Sequence, residues 1–213
     1  MKIYEDIKQG TEEWFEVKKG KLTASHATAI MANGKGLKSL VEEIITDLYS
    51  SDNYPEFTNR LDNRHITRGN EFESKARTIY ELETGNKVKQ IGFVELDEYV
   101  GASPDGLVGD DGLLEIKNPA NKEFMRLALT GKIDSNHLNQ MQMQMYVTGR
   151  EWCHYFVFNP NYEPCFILKK VKADKNEFIR LAQGLEAGKK MIKEIRSFTD
   201  DVFTRQERNE NEQ

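Results

Sequence analysis

The chain has 213 residues, 38% of them hydrophobic and 31% charged, with a net charge of −5. That length suits one large domain burying about 70% of its unfolded surface, and the acidic balance excludes a protein that coats nucleic acid over its whole surface. No apolar run approaches the ~20 residues of a membrane helix. The start, MKIYEDIKQG, lacks the apolar core of a signal peptide, so a cytoplasmic protein with no membrane contact is expected. Charge is unevenly spread: residues 1–40 hold seven lysines against five acids, and 200–213 hold five acids against two arginines. A locally basic face on an acidic body suits an enzyme that holds DNA at one place and lets it go. Cys153 and Cys165 lack C-x-x-C spacing and read as small apolar residues rather than zinc ligands.

In chain order, Thr11–Gly20 is predicted as a short helix with Thr11 as N-cap, and Trp14 and Val17 in apolar contact. Lys18, Lys19 and Lys21 crowd its C-terminal end, where the helix dipole favours cations. A second helix is expected over His26–Ala32, closed by Asn33-Gly34 and capped by Thr23 or Ser25. A helix start with hydroxyls and adjacent lysines also makes a phosphate site. Trp14, Lys18, Thr23, Ser25 and Lys35 are the candidate DNA contacts. A plain cap beside solvated lysines is the competing reading.

Leu37–Tyr49 forms a third helix, with Leu40, Val41, Ile44, Ile45 and Leu48 as its apolar stripe. Ser50–Asn63 is read as a loop, its Tyr54 and Phe57 either anchors or base-stacking rings. The next helix, Arg68–Glu83 with Gly85 beyond it, buries Phe72, Ala76, Ile79 and Tyr80. Glu73 borders that face, and a partly buried carboxylate needs a partner. Either a cation or an i, i+4 bridge to Arg77 would serve. Val88–Val100 then holds two strand segments, KVKQIGFVEL and YVGAS, broken at Asp97-Glu98.

The stretch Ser103–Pro119, SPDGLVGDDGLLEIKNP, follows. Pro104-Asp105-Gly106 is a turn, and Asp110-Asp111-Gly112 marks a hairpin reversal. Leu113 to Lys117 reads as a short strand, with Leu114 and Ile116 on one side and Glu115 and Lys117 on the other. The two charged groups project roughly 6 to 7 Å apart. An exposed ion pair on an edge strand is the plain account of such an E-x-K. Asp105, brought alongside by the turn, alters it: two converging carboxylates and the Ile116 carbonyl suit a hard divalent cation such as Mg²⁺. A lysine there can neutralise charge developing on phosphate.

Beyond Pro119, helices are expected over Lys122–Leu129 and His137–Gly149. The Gln/Met alternation of the second imitates a strand, but these residues are strong helix formers and weak strand formers. Leu138, Met141 and Met145 would pack inward, and His137, Gln140 and Gln144 would share a face. Trp152–Phe158 and Cys165–Val171 form a hairpin, and Asp174–Phe198 a closing helix. Residues 1–200 are thus read as one α/β domain, a mixed central sheet flanked by helices, and 201–213 as a polar, disordered tail.

Four motifs in order, QGTEEWFEVKKGKLTAS, RGNEFESKAR, GASPDGLVGDDGLLEIKNP and QMQMQMYVTG, resemble the lambda-exonuclease family of phage and prophage alkaline exonucleases. That family is the viral-type recombinase branch of the PD-(D/E)XK nucleases. The resemblance implies a restriction-endonuclease-like core and an enzyme that degrades one strand of duplex DNA from a 5′ end to mononucleotides. It leaves 3′ overhangs for strand annealing. It further implies Mg²⁺, with Mn²⁺ as substitute, one or two ions per site, held by Asp105, Glu115, Glu73 and the Ile116 carbonyl. Lys117 matches the catalytic lysine, Gln140 the glutamine of the Q-x-Q helix, and Ser25 a serine at the terminal 5′-phosphate. Lys18 stands where the family has arginine, keeping the charge but losing the bidentate fork. A homotrimeric ring around DNA with free ends, and a single-strand annealing protein as partner, are implied as well. An endonuclease on the same core, or a silent DNA-end-binding module, are the alternatives. The intact Asp105, Glu115 and Lys117 argue against silence.

Overall fold

In the computed structural model the backbone is described for residues 1–50 and 64–211, and the side chains for 1–50 and 72–202. Strand β1 (Lys2–Tyr4) leads to helix α1 (Glu12–Lys18), strand β2 (Leu22–Thr23), a 3₁₀ turn (Ala24–His26) and helix α2 (Ala27–Ala32). Helices α3 (Lys35–Tyr49) and α4 (Arg64–Thr84) come next. Strands β3 (Val88–Lys89), β4 (Phe93–Asp97), β5 (Val100–Ala102), β6 (Gly106–Val108) and β7 (Gly112–Lys117) follow. Helices α5 (Asn121–Thr130) and α6 (Ser135–Thr148), strands β8 (Trp152–Phe158) and β9 (Phe166–Lys172), and helix α7 (Lys175–Asn211) close the chain. The loop expected around Tyr54 and Phe57 lies outside the described residues.

The expected α/β layering of mixed sheet and flanking helices is present, but hydrogen bonding divides the strands between two sheets. Their orders are β1-β4-β5-β2 and β3-β6-β7-β8-β9. The segment KVKQIGFVEL is where they part, β3 joining one sheet and β4 the other. Gly92 sits at that crossing, where a Cβ would lie 2.2 Å from the Ile7 carbonyl oxygen. A side chain there would push the N-terminal segment away.

Strand β7 is central, antiparallel to β6 and parallel to β8. Parallel neighbours need a long crossover, and α5 and α6 supply it. Both faces of β7 are consequently buried. Leu113 enters a larger core with Met141, Met143 and Met145. Leu114 and Ile116 enter a smaller one with Ala76, Tyr80 and Phe156. The E-x-K pair therefore stands on an interior strand and not on an edge.

Helix α6 is apolar and polar by turns because it is enclosed all round: Met141, Gln142, Met143, Gln144 and Met145 are all buried. Gln142 ties it to the chain behind, its Nε2 donating to the Lys172 carbonyl at 2.8 Å and its Oε1 accepting from the Asp174 N–H at 2.9 Å. Helix α7 does not stop near Phe198 but runs on to Asn211, so most of the polar stretch expected as a tail extends the helix. Glu, Arg and Gln are good helix formers, and no Gly or Pro interrupts 199–211. Among the described residues no helix is long and apolar enough to cross a membrane.

Candidate active site

The hairpin of β6 and β7 turns at Gly109, whose φ of 55° lies in the left-handed region that glycine enters without strain. Arg150 clamps it, donating to the carbonyls of Gly109 at 2.9 Å and Gly112 at 2.6 Å. The turn before β6 carries Asp105, whose Oδ2 accepts the backbone N–H of Ile116 at 2.6 Å. One strand pair thus brings Asp105, Glu115 and Lys117 together, as the spacing predicts.

Glu115 is only 1% exposed. Both its oxygens are used: Oε1 pairs with Lys117 Nζ at 2.6 Å, and Oε2 accepts from Gln144 Nε2 at 2.7 Å. Lys117 Nζ also lies 3.4 Å from Gln140 Oε1. Burial works against the charge on Lys117, but Glu115 and Asp105 reverse that and hold the ammonium above the ordinary lysine value. Burial, then the charges of Glu115 and Glu73, push the Asp105 carboxyl well above the usual range, against Lys117 and the Ile116 N–H. Glu73 comes from α4 on the other face of β7, ion-paired to Arg77. Burial raises its carboxyl too, with Arg77 opposing and Glu115 adding to the rise.

Burial and the charge of Glu115 raise the carboxyls of both Asp105 and Glu73, so the three carboxylates carry surplus negative charge, the chemistry of a donor set for a hard divalent cation. Among the described residues, no three His, Cys, Asp or Glu side chains are already drawn into a ligand set. Each carboxylate instead leans on a protein donor: Arg77 on Glu73, the Ile116 N–H on Asp105, Lys117 and Gln144 on Glu115. Close by, His137 Nδ1 and the Tyr155 hydroxyl are 2.7 Å apart. Burial lowers the imidazole and raises the phenol to about 12.

The second candidate group sits at the start of the chain. The sequence predicts Thr23 or Ser25 as the cap of the second helix, but α2 begins at Ala27 with His26 at the cap position, and Thr23, ahead of the 3₁₀ turn, makes no side-chain capping bond. Its hydroxyl instead lies 3.1 Å from that of Ser25, and both lie 3.4 Å from His26 Nδ1. Lys18 acts on the same imidazole: burial first, then the Lys18 charge, lowers its proton affinity. Lys18 is itself pushed down to about 8 by burial. It lies over the Trp14 ring, 3.6 Å from the centroid. The Trp14 N–H is spent on the Gly92 carbonyl at 3.0 Å and Ser103 Oγ at 2.9 Å, so Trp14 supports Lys18 from within. Lys35 is exposed in the first turn of α3, and no hydrogen bond or ion pair joins it to this cluster among the described residues.

The sequence does not single out His26, and it places Gln144 on a face with His137 and Gln140 without showing what that face meets. His26 directly follows the first motif and Gln144 lies within the last, but only tertiary contacts give them a partner.

Residues 13–151 match the model of the YqaJ-like viral recombinase domain. The chain belongs to this family. Within solved structures, the YqaJ-like chain is similar to an alkaline exonuclease, LHK-Exo, from Laribacter hongkongensis. Identity is 29% over 92% of this chain and 99% of that one, with a TM-score of 0.80. The same protein in complex with dAMP matches equally well. A phage-related exonuclease from Haemophilus somnus 129PT shares the fold, with a TM-score of 0.63 at 15% identity over 84% and 96% of the two chains. No curated protein matches the sequence. The YqaJ-like match spans both candidate groups, from Trp14 to Gln144, and ends short of Tyr155.

Proposed function

We propose that this chain is a Mg²⁺-dependent exonuclease that degrades the 5′-ended strand of duplex DNA to mononucleotides and leaves 3′ overhangs. The observation that carries the reading is the crowding of Asp105, Glu115 and Glu73 around a lysine held protonated by two of them. The resemblance to an alkaline exonuclease, also known in complex with dAMP, supports it.

The three carboxylates, with the Ile116 carbonyl, would hold the cation, which supplies Lewis acidity at phosphorus when bound. Lys117 is held protonated by Glu115 and Asp105 and has no lone pair with which to take a proton from water, so it acts as a fixed cation, offsetting charge that builds on the phosphoryl oxygens. Gln140 keeps that ammonium oriented. The Lys18, Thr23, Ser25 and His26 cluster would take the terminal 5′-phosphate, which carries more charge than an internal one. If each cycle starts from a 5′-phosphate, each must also leave one. Water therefore adds to phosphorus and the bond to the 3′-oxygen breaks, with the proton passing to that oxygen. A ring of three subunits and hand-over of the overhang to a single-strand annealing protein complete the reading, both drawn from family resemblance.

Linear duplex and covalently closed duplex of the same sequence, incubated with Mg²⁺, test it. Mononucleotides released from the linear form alone are the expected result. Cutting of the closed form would make the protein an endonuclease, and binding without product an end-binding module.

A further inference from the structure

Gln140 and Gln144 stand one turn apart on α6, a pitch of about 5.4 Å. Glu115 and Lys117 stand two residues apart on β7, about 6.6 Å. The near match lets one ridge of the helix address both charges of the strand. Gln140 turns its acceptor to Lys117 at 3.4 Å, and Gln144 turns its donor to Glu115 at 2.7 Å.

Gln144 is completely buried, flanked by the equally buried Met143 and Met145. Its Oε1 has no partner among the described residues. Buried polar atoms are normally paired, and a methionine here would fill similar space without leaving an acceptor unmatched. Packing therefore does not account for an amide at this position. Glu115 does, because a buried carboxylate with one oxygen on Lys117 needs a donor for the other.

We infer that Gln144 is a positioning residue of the nuclease centre: by fixing Oε2 of Glu115 it keeps Oε1 turned toward Lys117 and available to a divalent cation. Gln140 stands beside Lys117 as an alternative acceptor when Oε1 is given up. The inference rests on the metal-dependent reading above.

Calorimetric titration of the full chain with Mn²⁺ tests it on Gln144→Met. Removing such an outer contact is expected to weaken Mn²⁺ binding about 10- to 100-fold. If the methionine variant does not fold, Gln144→Asn carries the test, since it withdraws the amide by one methylene with less loss of packing; the same weakening is expected. A purely structural role would lower the melting temperature of the metal-free protein and leave Mn²⁺ affinity within about twofold of wild type, where outer-contact losses start near tenfold. That result overturns the inference. A wild-type chain that binds no Mn²⁺ overturns the metal reading together with it, and is distinguished because no variant is needed to see it.

Discussion

The ammonium of Lys18 rests 3.6 Å from the centre of the Trp14 ring, whose N–H reaches Ser103 Oγ at 2.9 Å. Ser103 is two residues from Asp105, so one indole links the basic cluster to the turn that carries the acidic one. On the proposed function, this contact would fix the spacing between a terminal phosphate held by the basic cluster and the bond to be cut.

Lys18 is held near pH 8 by burial. Below that it is charged and, if the cluster takes the terminal phosphate as proposed, should attract it; above it the attraction should fade. Duplex with a 5′-phosphate should be digested faster than duplex with a 5′-hydroxyl, by about tenfold or ~1.4 kcal/mol. The preference should fall as pH rises through about 8. Lys18→Arg should keep it at high pH because guanidinium stays charged, and Lys18→Ala should erase it throughout. Equal rates on both ends at every pH would return Lys18 to the role of a ring-stacked surface cation.

Asp105→Asn and Glu115→Gln each remove one negative charge with little change of shape. Both should lose more than about 90% of nuclease activity, beyond ~1.4 kcal/mol of barrier. Mn²⁺ should raise the melting temperature of the wild type, because a bound cation stabilises the folded state, and should leave both variants unmoved. A variant that keeps its activity and its Mn²⁺ response would take that carboxylate out of the site.

Lys117→Ala separates charge stabilisation from metal binding. It strips Glu115, 1% exposed, of its one cationic partner among the described residues, and breaking a buried pair costs about 3–5 kcal/mol. The lower end applies, since the lysine side chain is 28% exposed. Mn²⁺ should then stabilise the variant more than the wild type, as no ammonium competes for Oε1, while turnover stays depressed. Loss of Mn²⁺ binding in this variant would contradict that division of roles.

Gly184→Ala reverses a general expectation. Alanine favours a helix over glycine by about 1 kcal/mol, yet a Cβ at 184 would lie 1.9 Å from the Ile30 carbonyl oxygen. Helix α7 would have to back away from α2, at an overpacking cost of about 1–3 kcal/mol. A lower melting temperature is expected in a thermal scan; a rise would show that the two helices separate freely.

By itself the sequence determined what local physics governs. Turn residues and period-two alternation placed Asp105, Glu115 and Lys117 on one hairpin because they lie within 12 residues of each other. Apolar periodicity and end signals located α1, α3 and α4 to within a few residues, and helix propensity did the same for α6 against its period-two alternation. The choice of Glu73's partner could not be read there, since an i, i+4 arginine and a distant acidic cluster both satisfy its burial. Contacts across long stretches of chain were decided only by the fold. The split of KVKQIGFVEL between two sheets depends on which neighbours complete each ladder. Thr23 joins a sheet because β5 offers it a parallel partner, Gly101, and its hydroxyl meets Ser25 and His26 rather than a helix N–H. Gln144, one of three glutamines in alternation, faces Glu115 rather than solvent because a parallel β7–β8 pair requires a crossover, and that crossover lays α6 over the strand. Periodicity states which residues share a face; what the face meets is set by the entropy and geometry of the connections between elements, which no short window of sequence contains.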